Sequence, residues 1–194
     1  MKLSIDLKRP SRPEWIIAVL DDFDSFLQDH ANCERKASSM AMSFVAKFSD
    51  RVEIIQELID TGIEELEHFK DVYAIMEKRG VLLPKEIGQD IYVKRLIDHC
   101  RSGREERFLD RLLLASIIEC RGAERFKIVS ENVQDEELKM FYKRLWISEA
   151  KHGNIFVKMA LNYFPEKVVY NRLEELNNVE SEVIYEMPVT PALH

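Results

Sequence analysis

Two pairs of residues in this chain combine a carboxylate and an imidazole at a spacing that suits metal binding. Glu65 precedes His68 by three positions, and Glu149 precedes His152 by the same interval. On an α-helix this spacing puts both side chains on one face, about 4.5 Å apart along the axis. Carboxylates with one imidazole per metal suit iron or manganese. A single pair of this kind is more typical of a solvated helix surface, so the prediction of a metal site depends on where the two pairs lie in the chain.

Each pair has a counterpart glutamate on the other side of a predicted turn. The turns are indicated at Asp50 and Asp135, and Glu34 and Glu119 each lie 16 residues before one of them. The glutamate of each pair follows its turn by 15 or 14 residues. In each hairpin, the two glutamates would therefore lie at nearly the same distance from the turn along the helix axes. A di-iron site in a four-helix bundle requires this set, with a Glu-x-x-His pair on two of the helices and one glutamate on each of the others. The predicted metal ligands are Glu34, Glu65, His68, Glu119, Glu149 and His152.

Glu124 is the alternative ligand on the third long helix, because the residues that flank it resemble those that flank Glu34. We favour Glu119 because its height matches that of the other predicted ligands. Glu124 would then accept a hydrogen bond beside the ligands rather than bind the metal. Small residues near Glu119 would leave room for a metal cluster, namely Ala115, Gly122 and Ala123.

Apolar residues recur at intervals of three and four over most of the chain, which predicts helices. Short turns join the first long helix to the second and the third to the fourth, whereas a long connection over residues 81–103 contains one short helix. One long crossover between two such hairpins is typical of ferritin-like four-helix bundles. We therefore predict an all-α, ferritin-like bundle with short accessory helices. The predicted helices cover residues 13–48 (long or slightly broken), 51–79, 104–131, 136–163 and 166–183.

The predicted domain organisation is simple. We expect an N-terminal extension over residues 1–12, a ferritin-like di-iron domain over 13–183 and a C-terminal tail over 184–194. A chain of 194 residues is long enough to bury one substantial core without disulfides.

Composition excludes several classes of protein. The net charge of −7 argues against a strongly basic nucleic-acid-binding protein, although it leaves room for a local basic patch. The three cysteines form no CxxC pair, which excludes zinc-ribbon and rubredoxin-type sites and favours a reduced, cytoplasmic setting. No apolar run has the length of a signal-peptide core or a membrane span, so we expect no membrane association.

Four segments that carry these residues resemble the MiaE-type tRNA hydroxylases, which are ferritin-like di-iron monooxygenases. The resemblance covers about residues 13–176, and its first and last segments are the most specific. At Gly122-Ala123 the sequence departs from the family's Ser-Cys pattern, which changes the lining of the predicted pocket. The segments are DHANCERKAS at 29–38, EELEHF at 64–69, IECRGAERF at 118–126 and SEAKH at 148–152.

The resemblance implies O2-dependent hydroxylation of the isopentenyl group of 2-methylthio-N6-isopentenyladenosine, beside the tRNA anticodon. It implies two iron ions held by the six predicted ligands, O2 as co-substrate, and no catalytic side chain beyond the metal ligands. An external electron donor must reduce the iron, because the chain has no flavin or iron–sulfur motif. The identity of that donor and the oligomeric state stay open.

A tRNA substrate requires local positive charge. Four arginines lie within eleven residues at the start of the third long helix, although three acidic residues interrupt them. A solvated helix surface is the competing interpretation of this cluster. The predicted tRNA-binding residues are Arg101, Arg104, Arg107 and Arg111.

Two other functions compete with tRNA hydroxylation. One is a different ferritin-like di-iron oxidase, peroxidase or iron-storage protein, although the missing CxxC module argues against a complete rubrerythrin. The other is a metal-free helical interaction module, which would show no iron content and no stabilisation by iron.

Overall fold

The computed structural model describes residues 3–85 and 88–194. Within these ranges the chain is helical, with no strand, and the all-α prediction is confirmed. The helices are α1 (Pro13–Asp21), α2 (Phe23–Lys47), α3 (Val52–Arg79), α4 (Ile91–Ile97), α5 (Arg104–Asn132), α6 (Glu136–Leu161) and α7 (Glu166–Glu186).

The chain divides into two compact units. The hairpin unit comprises residues 17–88 and 190–193, and its main elements are α2 and α3. The multihelix unit comprises the described residues up to Ile16, residues 89–189 and His194, and it contains α4 to α7. Each unit contains one pair of long helices joined by a short turn.

In the hairpin unit, local signals explain most of the helix ends. The carboxylate of Asp22 accepts a hydrogen bond from the Ser25 backbone N–H at 3.1 Å, so the predicted helix over 13–48 is slightly broken there. Gly80 ends α3 in the left-handed conformation, with φ of 69°, and the helix stops at residue 79 as predicted. After the predicted turn at Asp50, α3 begins with Arg51 at the N-cap, and no side chain caps the helix there; a helix cap expected at Asp50 from its residue type is therefore wrong.

Small residues allow α2 and α3 to approach closely. The Ser38 hydroxyl donates to the Gly62 carbonyl oxygen at 2.8 Å, and a Cβ atom at Gly62 would lie 2.9 Å from Met42 Cε. This contact fixes the register of the hairpin one helical turn from Glu65. The core of this unit includes Phe26, Leu27, Phe44, Ile54, Leu58, Val72 and Met76.

In the multihelix unit, α5 and α6 form the second hairpin. The carboxylate of Asp135, where the sequence predicts the turn, accepts from the Leu138 backbone N–H at 3.0 Å and caps α6. The Ser116 hydroxyl donates to the Gly153 carbonyl oxygen at 2.7 Å, which parallels the Ser38–Gly62 contact of the first hairpin. The two hairpins therefore repeat a serine-to-glycine contact close to the predicted ligands.

The segment before α1 packs against the helices of the multihelix unit. The backbone N–H groups of Leu3 and Ser4 donate to Asn154 Oδ1 on α6, at 2.6 and 3.0 Å. Asn177 on α7 donates to the Asp6 carbonyl oxygen at 2.9 Å. These contacts hold the segment before α1 against α6 and α7.

No helix in the described part of the chain combines the length and apolar character needed to cross a bilayer.

Candidate metal centre

Three buried side chains of the hairpin unit bring potential ligand atoms together. Glu65 and His68 share one face of α3, and Glu34 reaches them from α2; one ligand atom from each lies within 4.8 Å of the others. His68 Nδ1 is 3.4 Å from Glu65 Oε2 and 3.7 Å from Glu34 Oε2. The helical spacing and the register of the hairpin thus bring two carboxylates and one imidazole close enough to bind one metal ion.

His30 is a further residue of this cluster for which sequence reasoning assigned no role. Its Nε2 lies 2.6 Å from Glu34 Oε1, and its ring is fully buried. A signal was available in the sequence, because His30 precedes Glu34 by four residues and so lies on the same face of α2. The imidazole holds the Glu34 carboxylate in one orientation toward Glu65 and His68.

The multihelix unit contains an equivalent cluster. Glu149 and His152 lie on one face of α6 and Glu119 lies on α5, with one ligand atom from each within 4.8 Å of the others. His152 Nδ1 is 3.2 Å from Glu149 Oε2. All three side chains are buried. Each unit therefore contains the same set of two glutamates and one histidine.

Glu124, the alternative ligand, has different partners. It accepts hydrogen bonds from the Ser11 backbone N–H and hydroxyl, both at 2.7 Å, and from Arg121 Nη1 at 2.9 Å. The structure therefore groups Glu119, and not Glu124, with Glu149 and His152. Glu124 instead joins the segment before α1 to α5.

A buried polar network, absent from the sequence-based prediction, continues from Glu124. The Glu180 carboxylate on α7 accepts from Arg121 Nε at 2.8 Å, from Arg121 Nη2 at 3.0 Å and from the Tyr92 hydroxyl at 3.0 Å. Burial lowers the pKa of Arg121, but the hydrogen bonds and charge of Glu180 more than offset this, and the pKa is raised. Arg125 lies 4.6 Å from the Trp15 ring centre, and burial lowers its pKa to about 10.

The predicted tRNA-binding arginines occupy different environments. Arg101 is held by Asp110, with Nη2 2.7 Å from Oδ1, and Arg172 Nε lies 2.9 Å from the same oxygen. Burial raises the pKa of Asp110, but the two arginines more than offset this, and the pKa is lowered. Arg104 and Arg107 are exposed. Arg111 is partly buried, and this burial lowers the pKa of its guanidinium.

The donor atoms in both clusters suit a metal. Carboxylate oxygens and imidazole nitrogens are preferred by iron and manganese, and neither cluster offers a thiolate. Several carboxylates buried together are costly without a compensating cation. The residues therefore fit metal binding, and the histidine spacing repeats the motif of di-iron bundle proteins.

A family model described as tRNA-(MS[2]IO[6]A)-hydroxylase (MiaE) matches residues 2–194, almost the full chain. The chain belongs to the MiaE family. Two curated relatives share the name tRNA 2-(methylsulfanyl)-N(6)-isopentenyladenosine(37) hydroxylase. The MiaE chain is 36% identical to the one from Pseudomonas putida over 176 residues, which is 90% of this chain and 84% of the relative. It is 30% identical to the one from Salmonella typhimurium over 133 residues, or 66% of this chain and 48% of the relative.

A solved structure also resembles this MiaE chain. It is a Synechococcus protein described as Protein 43 with aldehyde deformylating oxygenase activity, with a TM-score of 0.90 and 30% sequence identity. The likeness covers 95% of this chain and 92% of the Synechococcus chain. It confirms the predicted ferritin-like four-helix fold.

Proposed function

We propose that this chain hydroxylates the isopentenyl group of 2-methylthio-N6-isopentenyladenosine at position 37 of tRNA, beside the anticodon. The family match across residues 2–194 is the observation that carries this proposal. The name shared by the Pseudomonas putida and Salmonella typhimurium relatives supports the same substrate and reaction.

The two ligand clusters would together hold two iron ions. Support comes from the repeated set of donor atoms and from the ferritin-like fold, in which such sets bind paired metals. When bound, reduced iron supplies the O2-activating chemistry needed to oxidise an allylic C–H bond, with electrons from an external donor. The proposed ligands are Glu34, Glu65 and His68 from the hairpin unit, and Glu119, Glu149 and His152 from the multihelix unit.

The protein's own residues have three tasks in this reaction. Four ligand glutamates carry four negative charges, which balance the four positive charges of two divalent ions. His30 orients Glu34 through the 2.6 Å contact, and such partners of metal ligands tune both geometry and affinity. Burial of the ligand side chains in each cluster would keep bulk water away from a bound metal ion.

Binding of tRNA requires cationic side chains that phosphates can reach. Arg104 and Arg107 are exposed at the start of α5 and are proposed as contacts to tRNA. Arg101 is also exposed, and it donates to Asp110 at 2.7 Å. Because the net charge is −7, binding would depend on such a local patch. We expect a cytoplasmic location, in keeping with a tRNA substrate.

The decisive experiment uses the full chain reconstituted anaerobically with ferrous iron and then exposed to 18O2 and a chemical reductant. The substrate is an anticodon stem-loop that bears 2-methylthio-N6-isopentenyladenosine, and the product nucleoside is analysed by mass spectrometry. We expect one 18O atom in the isopentenyl group. Iron-loaded, reduced protein that leaves this nucleoside unchanged would contradict the proposal.

A second candidate function is suggested by the Synechococcus likeness, whose description names aldehyde deformylating oxygenase activity. The same reconstituted protein should therefore be offered a long-chain aldehyde under identical conditions. Turnover of the aldehyde without turnover of the stem-loop would favour this alternative.

A further inference from the structure

The outer surface of α6 combines exposed cations with exposed apolar side chains. Between residues 138 and 161 this helix contains five lysines or arginines, all exposed, and one acidic residue, the buried Glu149. Met140 and Ile147 lie among the cations and are 54% and 47% exposed. We call this surface the basic face of α6. Its cations are Lys139, Lys143, Arg144, Lys151 and Lys158.

The last helix of the same unit carries the opposite charge. On its exposed surface α7 has five glutamates and one lysine, Lys167. The whole chain has a net charge of −7, so the basic face of α6 is a local exception. Such separation of charge orients an acidic partner as it approaches and accelerates its association at low ionic strength. The exposed glutamates of α7 are Glu166, Glu174, Glu175, Glu182 and Glu186.

The basic face lies behind the proposed metal ligands of α6. Ile147 and Glu149 are two residues apart, which places their side chains about 200° apart around the helix axis. Glu149 and His152 are buried within the unit, whereas Ile147 is exposed. An α-helix with its side chains is about 10–12 Å across. A molecule on the basic face would therefore be separated from the ligands by the thickness of α6.

This separation indicates which kind of partner fits the face. The base of a tRNA cannot pass through a helix to reach ligands on its other side, whereas an electron can cross that thickness of packed protein. Exposed Met140 and Ile147 also suit a protein interface, in which apolar side chains lie at the centre and polar ones at the rim. A phosphate backbone offers them no apolar counterpart. The surrounding cations complement an acidic protein.

We propose that the basic face of α6 is the docking surface for the electron donor, an acidic protein that carries one electron per molecule. This inference rests on the proposed function, because the proposed iron centre is what requires such a donor. Two reduced donor molecules dock in turn and lose one electron each, while two ferric ions become ferrous. Lys143 and Arg144 contact the acidic groups of the donor, and Ile147 packs against its apolar surface.

The test uses the iron-loaded full chain and two acidic probes, a [2Fe–2S] ferredoxin and a flavodoxin, each reduced before anaerobic mixing. Stopped-flow absorption follows oxidation of the probe, and calorimetry measures binding of the oxidised probe. Lys143→Glu and Arg144→Glu should each slow reduction by the probe about tenfold at low ionic strength, and added salt should shrink the difference. Lys167→Glu is the matched control, because it makes the same charge change on α7 and should keep the wild-type rate.

A small neutral reductant, photoreduced deazariboflavin, should reduce wild type and every variant at one rate if the fold and the iron site are intact. Wild-type rates for both probes in Lys143→Glu and Arg144→Glu would overturn the inference, as would a wild-type chain that binds neither probe. Weaker binding of the anticodon stem-loop in these variants, with unchanged reduction by the probes, would assign the face to tRNA instead. Reduction through this face by a chain that leaves the stem-loop unhydroxylated would count against the proposed function alone.

Discussion

His30 Nε2 and Glu34 Oε1 lie 2.6 Å apart in the interior of the hairpin unit. The contact leaves the second oxygen of Glu34 on the side of His68, at 3.7 Å from Nδ1. One helical turn of α2 thus supplies both a proposed ligand and the group that orients it.

His30→Ala should therefore weaken iron binding by about tenfold to a hundredfold, as loss of a ligand's hydrogen-bond partner does in other metal sites. Anaerobic titration with ferrous iron, followed by absorption spectroscopy, measures the affinity. His99→Ala is the matched control, because His99 is exposed, lies just after α4 and has its Nδ1 2.9 Å from the Arg95 carbonyl oxygen. Equal loss in both variants would remove the orienting role from His30.

Glu119→Ala should abolish binding of one of the two iron ions, whereas Glu124→Ala should leave the iron stoichiometry unchanged. The reason is that Glu119 lies with Glu149 and His152, while Glu124 is engaged by Ser11 and Arg121. Iron per chain after reconstitution and desalting gives the answer. The reverse pattern would transfer the ligand role to Glu124.

Removal of metal should destabilise the protein. A ligand that binds only the folded state stabilises it by about 2.7 kcal/mol at a free concentration one hundred times its dissociation constant. Ferrous iron should thus raise the melting temperature of chelator-treated protein under anaerobic conditions. Glu65→Ala combined with Glu149→Ala should remove this response. An unchanged melting temperature together with no bound iron would support the metal-free interaction module.

Glu180→Ala should destabilise the multihelix unit by about 3–5 kcal/mol, because it leaves the buried guanidinium of Arg121 without its main counter-charge. Denaturant unfolding monitored by circular dichroism measures the loss. A double variant, Arg121→Met with Glu180→Leu, should recover much of the stability because neither member of this ion pair is then left buried without the other. If the double variant is as unstable as the single one, packing rather than charge accounts for the effect.

Asp110 should stabilise the fold in a pH-dependent manner. Its pKa is lowered by Arg172 and Arg101, so its contribution is present above the ordinary value of 3.8 and is lost as pH falls through the lower folded-state value. Asp110→Asn should be less stable than wild type at neutral pH, and the difference should shrink below pH 3.8. Urea unfolding across this range tests the sign, and a difference independent of pH would contradict it.

The sequence alone determined the helices and the register of the ligand pairs. Gly80, Asp135 and the apolar periodicity act within a few residues, so they can be recognised without knowing what lies opposite. The Glu-x-x-His spacing places two groups on one helix face for the same local reason. The resemblance at residues 29–38 and 148–152 then pointed to the family that the whole-chain comparison shows.

Tertiary structure decided which partner each polar side chain takes. Glu119 and Glu124 both lie on α5 and were rival ligands, but the fold brings Ser11, 113 residues away from Glu124, into hydrogen-bond contact with Glu124. Arg101 was predicted as a tRNA contact, yet the fold brings Asp110 and Arg172 together beside it. Such choices depend on segments far apart in the chain, whose approach is set by burial of apolar surface rather than by any local preference.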